Sequence, residues 1–287
     1  MASKTNKRLP IPRPFLKWAG GKAQLLGELL EHIPDRFEAY HEPFMGAAAL
    51  FFALYRQGLT KNREIYLSDT NVELIDTFRA VRSRVNMLMA KLRQHRYEKD
   101  YYYHVRSQNP GSMPIYEKAA RMIFLNKTGF NGLYRVNSKG AFNVPFGRYK
   151  NPTICDEPNL VAASKALKGV HISSESYEKV LQRAKRDDFV YFDPPYVPLS
   201  STAYFTAYCA AGFEEKDQRR LAEVFSTLAK RGVNVMLSNS DTPLVRRLYR
   251  RFKIRKVAAT RMLNSRSDRR GPVYEVIVTN FSRKAEK

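Results

Sequence analysis

The sequence predicts an α/β fold: one sheet built from both ends of the chain, carrying a mainly helical insertion. Three observations predict it. Strand and helix patterns alternate at both ends of the 287 residues, as they do when crossover helices join parallel strands. The middle of the chain breaks that alternation. The composition, 44% hydrophobic and 27% charged, is that of a folded globular chain with ample material for a core.

The elements follow in order. Residues 21–33, GKAQLLGELLEHI, read as an amphipathic helix stopped by Pro34. A short strand in AYHEPF precedes an apolar helix over residues 47–56, and EIYLSD reads as a buried strand ending at Asp69. Residues 72–94 carry apolar side chains at three and four spacing, a long helix. From Tyr101, Tyr102 and Tyr103 to about Pro158 the pattern is less regular. FVYFDPPY then reads as a strand entering a loop. EEKDQRRLAEVFSTLAKR is a helix, VNVMLSN a strand, DTPLVRRLYRR a helix and VYEVIVTNF a last strand. The division expected is 1–72 plus 160–287 for the sheet and 73–159 for the insertion.

Charge narrows the function. Fifty Lys and Arg against 27 Asp and Glu give +23, which predicts a polyanionic partner: nucleic acid first, an anionic membrane surface second. Residues 1–22 and 121–150 each hold six basic residues and no acid, and 246–270 hold eleven against Asp268. The middle stretch interleaves aromatics and turn formers in KTGFNGLYRVNSKGAFNVPFGRYK, a mixture suited to phosphates and base edges. The longest apolar run, 44–55, is too short to span a bilayer. No signal-peptide pattern opens the chain, and Cys155 and Cys209 lie in unrelated contexts. The expected setting is a reducing cytoplasm, without an obligate protein partner.

Three motifs carry chemistry. In FVYFDPPY an apolar strand delivers Asp193 to the carboxyl edge of the sheet, where α/β proteins bind ligands. Pro194 and Pro195 stiffen the loop, so a carboxylate, a carbonyl and the ring of Tyr196 face one volume. That set suits a planar amine. In HEPFMGAAALFFALY, Gly46 gives a tight turn between strand and helix, which permits close approach of backbone to a ligand. Asp69 follows 23 residues later, a placement suited to ribose hydroxyls. FLKWAGGK, 15–22, falls short of a phosphate loop because Leu16 and Ala23 occupy required positions. The five histidines show no metal-ligand spacing, and no nucleophile elbow appears.

Taken in order, FLKWAGGK, EPFMGAAAL, a basic insertion and DPPY resemble the Dam-type, D12 class DNA adenine-N6 methyltransferases. The resemblance spans nearly the whole chain and includes FNGLYRVNSKGAFNVPFGRYK and LSNSDT. It implies a Rossmann-like S-adenosylmethionine-dependent methyltransferase sheet with an inserted target-recognition domain. By the resemblance, Trp18, Lys22, Phe44, Gly46, Asp69 and Asp193 fall at S-adenosylmethionine-contacting positions, and Asp193, Pro194, Pro195 and Tyr196 form the catalytic loop. Lys17, Phe130, Asn131, Leu133, Arg135 and Arg148 match DNA-contacting positions of the family, whose target is GATC in double-stranded DNA. No metal is implied. One departure is the run Ala47-Ala48-Ala49 after Gly46, where the family usually has a second glycine in this motif; another is the very basic SRSDRRGPVYE near the carboxyl end.

The expected activity is methyl transfer from S-adenosylmethionine to adenine N6, with the target base flipped out of the duplex. Two alternatives stand beside it. Cytosine-N4 methylation uses the same amine chemistry, although that group more often has serine at the position of Asp193. A non-catalytic DNA-binding protein would follow if Ala47 and Ala48 had abolished cofactor binding.

Overall fold

Short apolar runs bounded by turn residues become the inner strands of one seven-stranded sheet. The computed structural model describes residues 10–18, 25–197, 213–259 and 273–282. The strands are β1 (Tyr40–Glu42), β2 (Ile65–Asp69), β3 (His171–Ser174), β4 (Phe189–Phe192), β5 (Asn234–Ser240), β6 (Lys253–Ala259) and β7 (Val273–Thr279). Their order is β3-β2-β1-β4-β5-β7-β6. The first five run parallel, with Tyr40 level with both Ile65 and Phe189. β7 inserts antiparallel between β5 and β6. The fold is the predicted Rossmann-like α/β sheet.

Alternation along each strand divides the core in two. Phe189, Tyr191, Met236 and Ile277 face one side, and Val190, Phe192, Val235, Leu237, Val276 and Val278 face the other. On the first side lie α1 (Leu26–Glu31), α2 (Ala49–Arg56), α3 (Val72–Leu92), α5 (Ile115–Thr128) and α6 (Glu157–Ala166). On the second lie α7 (Val180–Arg183), α8 (Glu215–Lys230) and α9 (Pro243–Leu248). α4 (Lys99–Ser107) and the other face of α5 build a third, smaller core from Tyr102, Val105, Phe124, Leu125, Phe142 and Val144. α5 therefore joins two cores: Ala119, Ala120, Met122 and Ile123 face the sheet, while Phe124 and Leu125 face the segment 129–149.

Four expectations are corrected. Tyr101, Tyr102 and Tyr103 do not begin an irregular region; they lie inside α4. Three identical residues in a row hide the helical period, and only Tyr102 of the three is fully buried. The helix expected over 21–33 ends earlier, at Glu31, and begins at Leu26 among the described residues; 21–24 lie outside them. The strands β3 and β6 were not legible, because both are edge strands and carry polar sequences, HISS and KIRKVAA. The helix α6 was likewise not anticipated.

Two buried polar groups brace the site. Asn126, 1% exposed, accepts from the Lys17 N–H at 2.8 Å and donates to the carbonyls of Lys17 at 2.7 Å and Gly132 at 2.9 Å. One amide thus ties the amino-terminal segment to α5 and to the turn that follows it. Glu42, 3% exposed at the end of β1, accepts from the Tyr40 hydroxyl at 2.9 Å and from the Phe51 N–H at 3.3 Å. Burial, and after it the nearby charge of Asp193, push its carboxyl up to about 8 against the lowering effect of those two donors.

This burial makes stability depend on pH. Below the ordinary value of 4.5 the carboxyl is neutral in both the folded and the unfolded chain. Between 4.5 and about 8 only the folded chain keeps the proton, so stability falls as pH rises through that window. Glu42→Gln should flatten this fall. Urea denaturation midpoints at pH 5.5 and pH 8 check it, and an unchanged difference between wild type and variant would contradict the assignment.

Candidate active site

Strands β1 and β4 are neighbours, but the chain leaves β1 toward β2 and leaves β4 toward β5. A crevice opens at such a reversal of strand order, at the carboxyl ends of the strands. Two loops border it: 43–48 after β1 and 193–197 after β4.

The first loop is held by its backbone. The Met45 N–H donates to the Ser68 carbonyl at 3.0 Å, and the Gly46 N–H donates to Asp69 Oδ2 at 3.2 Å. Gly46 has φ +45°, and a Cβ there would stand 2.7 Å from Cδ1 of Trp18. Only glycine accommodates both the conformation and the indole. Ala48 sits at φ 54°, ψ 43°, fully buried at the start of α2. A left-handed conformation at a residue with a Cβ carries a strain of about 1–2 kcal/mol.

Asp69 closes the floor of this half. Its other oxygen accepts from the Asn71 N–H at 3.0 Å, and Asn71 caps α3 through Leu74. Burial raises the Asp69 carboxyl above its ordinary value, with the donors Asn71 and Gly46 opposing. Carboxylate oxygens each have two lone pairs, so these two bonds leave acceptor capacity for hydroxyl donors. Phe44 stacks on Tyr177 with ring centroids 5.0 Å apart, and Phe213 meets both rings edge-on. Tyr177, just past β3, went unnoticed in the sequence, because it lies beyond an edge strand that was itself not legible.

In the second loop, Asp193 Oδ1 accepts from the Ser238 hydroxyl at 2.8 Å, and that hydroxyl pairs with Tyr191 at 2.9 Å. The Tyr196 hydroxyl donates to Glu275 Oε2 at 2.9 Å. Pro194 is buried and Pro195 exposed. The carboxylate, the two prolines and the ring named from the sequence thus occupy one loop at the end of β4. Ser238, Gln218, Asn239 and Glu275, which support it, were missed. Gln218 carried a signal: with Leu221, Ala222 and Phe225 it occupies the buried face of α8, where a polar residue is out of place.

The basic segment forms a surface beside Trp18. Trp18 stacks on Tyr134 at 5.2 Å, so one indole touches both the Gly46 turn and the segment 129–149. Phe130 is 49% exposed at a tight turn where Asn131 has φ 54°. A Cβ on Gly132 would fall 2.3 Å from the Lys17 side chain, whose ammonium lies over the Tyr149 ring. Arg135 is exposed, its Nε donating to Asn143 Oδ1 at 2.7 Å and its Nη2 to the Asn143 carbonyl at 3.2 Å. Arg148 and Lys17 are exposed, while Leu133 is half-buried against the small core. Lys22 lies outside the described residues.

Residues 18–263 match the model of the D12 class N6 adenine-specific DNA methyltransferases. The type II methyltransferase M1.LlaDCHI of Lactococcus lactis subsp. cremoris is 44% identical, over 94% of this chain and 95% of its own. M.MjaIII of Methanocaldococcus jannaschii, also a type II methyltransferase, is 42% identical over 94% and 99%. The DNA adenine methylase of Escherichia coli K12 is 36% identical over 92% and 94%. The match to an adenine-specific family sets aside the cytosine-N4 alternative. With a Rossmann-like sheet, a DPPY loop at its switch point and a basic segment alongside, the chain belongs to the D12 class of DNA adenine-N6 methyltransferases.

Proposed function

We propose that the protein methylates adenine N6 at GATC in double-stranded DNA, with Asp193 and the Pro194 carbonyl as acceptors for the amine. The observation that carries this reading is the loop 193–197, held at the crevice opposite the Gly46 turn. S-adenosylmethionine supplies an electrophilic methyl group when bound. The residues suit it: the Asp69 carboxylate meets the Gly46 N–H at 3.2 Å, the half-buried Trp18 packs against the Gly46 turn, and Phe44 lies in the same loop, so all four gather on the β1 side. Lys22 is assigned there from the family pattern.

The chain's own residues then handle the amine. Its lone pair is delocalised into the purine ring, which makes it a poor nucleophile. Two acceptors, one per N–H, favour a pyramidal nitrogen with the lone pair available. The Tyr196 ring, anchored through its hydroxyl to Glu275, offers a face on which the flipped base stacks. Placement and fixed dipoles supply the acceleration, with no covalent intermediate.

DNA reading falls to the segment 129–149, carried by α4 and α5, within the recognition unit 73–159. The sheet, from 1–72 and 160–287, carries the catalysis, although α3 and one face of α5 share its core. Arg135 pairs with guanine O6 and N7, and Lys17 reads a second guanine. Phe130 wedges where the adenine leaves the stack, Asn131 holds the orphaned base, Leu133 supports the turn and Arg148 contacts the duplex.

Two outcomes are expected. Asp193→Ala should lower transfer of labelled methyl to GATC duplex by about a hundredfold or more while binding the duplex within about twofold of wild type. Retained transfer would remove Asp193 from the mechanism. Arg135→Ala should cost about 1–3 kcal/mol on the cognate site alone, with relaxed choice at one position. Rates on GATC and its single-base variants test this, and equal proportional losses on every site would mean that Arg135 touches only phosphate.

A further inference from the structure

The loop that carries Asp193 cannot brace itself. Pro194 and Pro195 have no N–H, so two consecutive positions give the backbone no donor. Restraint has to come from outside, and two buried amides supply it. Gln218 on α8 is 2% exposed and Asn239 on β5 is fully buried. Gln218 Nε2 donates to the Pro195 carbonyl at 2.9 Å. Asn239 Nδ2 donates to Gln218 Oε1 at 3.1 Å, and Asn239 Oδ1 accepts from the Val197 N–H at 3.2 Å and the Ser240 N–H at 2.8 Å.

The direction of this relay is fixed at both ends. A carbonyl can only accept and a backbone N–H can only donate, so turning either amide over would set donor against donor or acceptor against acceptor. Such a mismatch, buried here, is costly. The loop is therefore held at Asp193 by Ser238, at Pro195 by Gln218, at Tyr196 by Glu275 and at Val197 by Asn239. Every residue around Pro194 is anchored, and among the described residues no donor is directed at the Pro194 carbonyl itself.

We infer that Gln218 and Asn239 are positioning residues for methyl transfer: their relay replaces the donors the two prolines lack and aims the Pro194 carbonyl at the amine. The inference rests on the reading that Pro194 accepts from the target base. It assigns to the pair an effect on the transfer step rather than on cofactor or DNA affinity.

Gln218→Met keeps the volume and removes both hydrogen bonds. Asn239→Leu keeps the volume and removes the donor to Gln218 together with the acceptor for Val197 and Ser240, so it cuts the same relay from its other end should methionine at 218 unfold the chain. Single-turnover transfer at saturating S-adenosylmethionine and duplex is expected to fall about tenfold to a hundredfold in each. Dissociation constants for cofactor and duplex should stay within about twofold. The double variant should be no slower than the slower single one, because both cut one relay. Wild-type transfer rates in the singles would overturn the inference. So would losses that multiply in the double variant, or a rate loss matched by equal losses of cofactor affinity and melting temperature. Failure of the wild-type protein to methylate adenine N6 in the same assay would overturn the underlying reading instead.

Discussion

The reversal of strand order between β1 and β4 is the constraint on which the site depends. The chain runs on from β1 to β2 and from β4 to β5, in opposite directions along the sheet, and this reversal opens a crevice at the carboxyl ends of the two strands. Parallel pairing then sets the contents of the crevice. Tyr40 is level with Phe189, so the Glu42–Gly46 turn and the Asp193–Val197 loop emerge side by side. Asp69 ends the next strand along, within reach of the Gly46 N–H. On the proposed reading, this arrangement brings a cofactor on the β1 side and an amine on the β4 side together.

Rigidity around this crevice comes from buried polar contacts. Asn126 fastens Lys17 to α5 and to the Gly132 turn. Trp18 lies between the Gly46 turn and Tyr134, so the turn after β1 and the basic segment 129–149 share one side chain. Arg121, 3% exposed, binds Glu73 at 2.9 Å and the carbonyls of Val105 and Arg106. That pair links α3 to α5 and holds the small core against the large one. In each case a satisfied buried group fixes a relative position that apolar packing alone would leave adjustable.

What was legible in the sequence follows the strength of local signals. β2, β4, β5 and β7 are apolar runs and were read directly. β3 and β6 border solvent at the two edges of the sheet and gave no hydrophobic pattern. α4 was hidden by three adjacent tyrosines of which one faces the core. At the site, Gly46, Asp69 and Asp193 stood out because each ends a recognisable strand or turn. Glu42 lay inside a quoted motif, yet its neutral state depends on burial by residues distant in sequence. Gln218 and Asn239 act on loop residues 23 and 42 positions away, and neither amide has meaning until α8 packs on β5. Sequence motifs locate the candidate groups at the crevice; the groups that hold those in place become visible only in the packed structure.

On the proposed reading, this crevice presents an acceptor pair to one adenine amine in a chosen duplex site. Base-resolved sequencing of duplex DNA methylated by the purified protein with S-adenosylmethionine tests it most directly, since base and site are read together. The account predicts N6-methyladenine at GATC and nowhere else at comparable level. N4-methylcytosine, or N6-methyladenine scattered without a common flanking sequence, would contradict it.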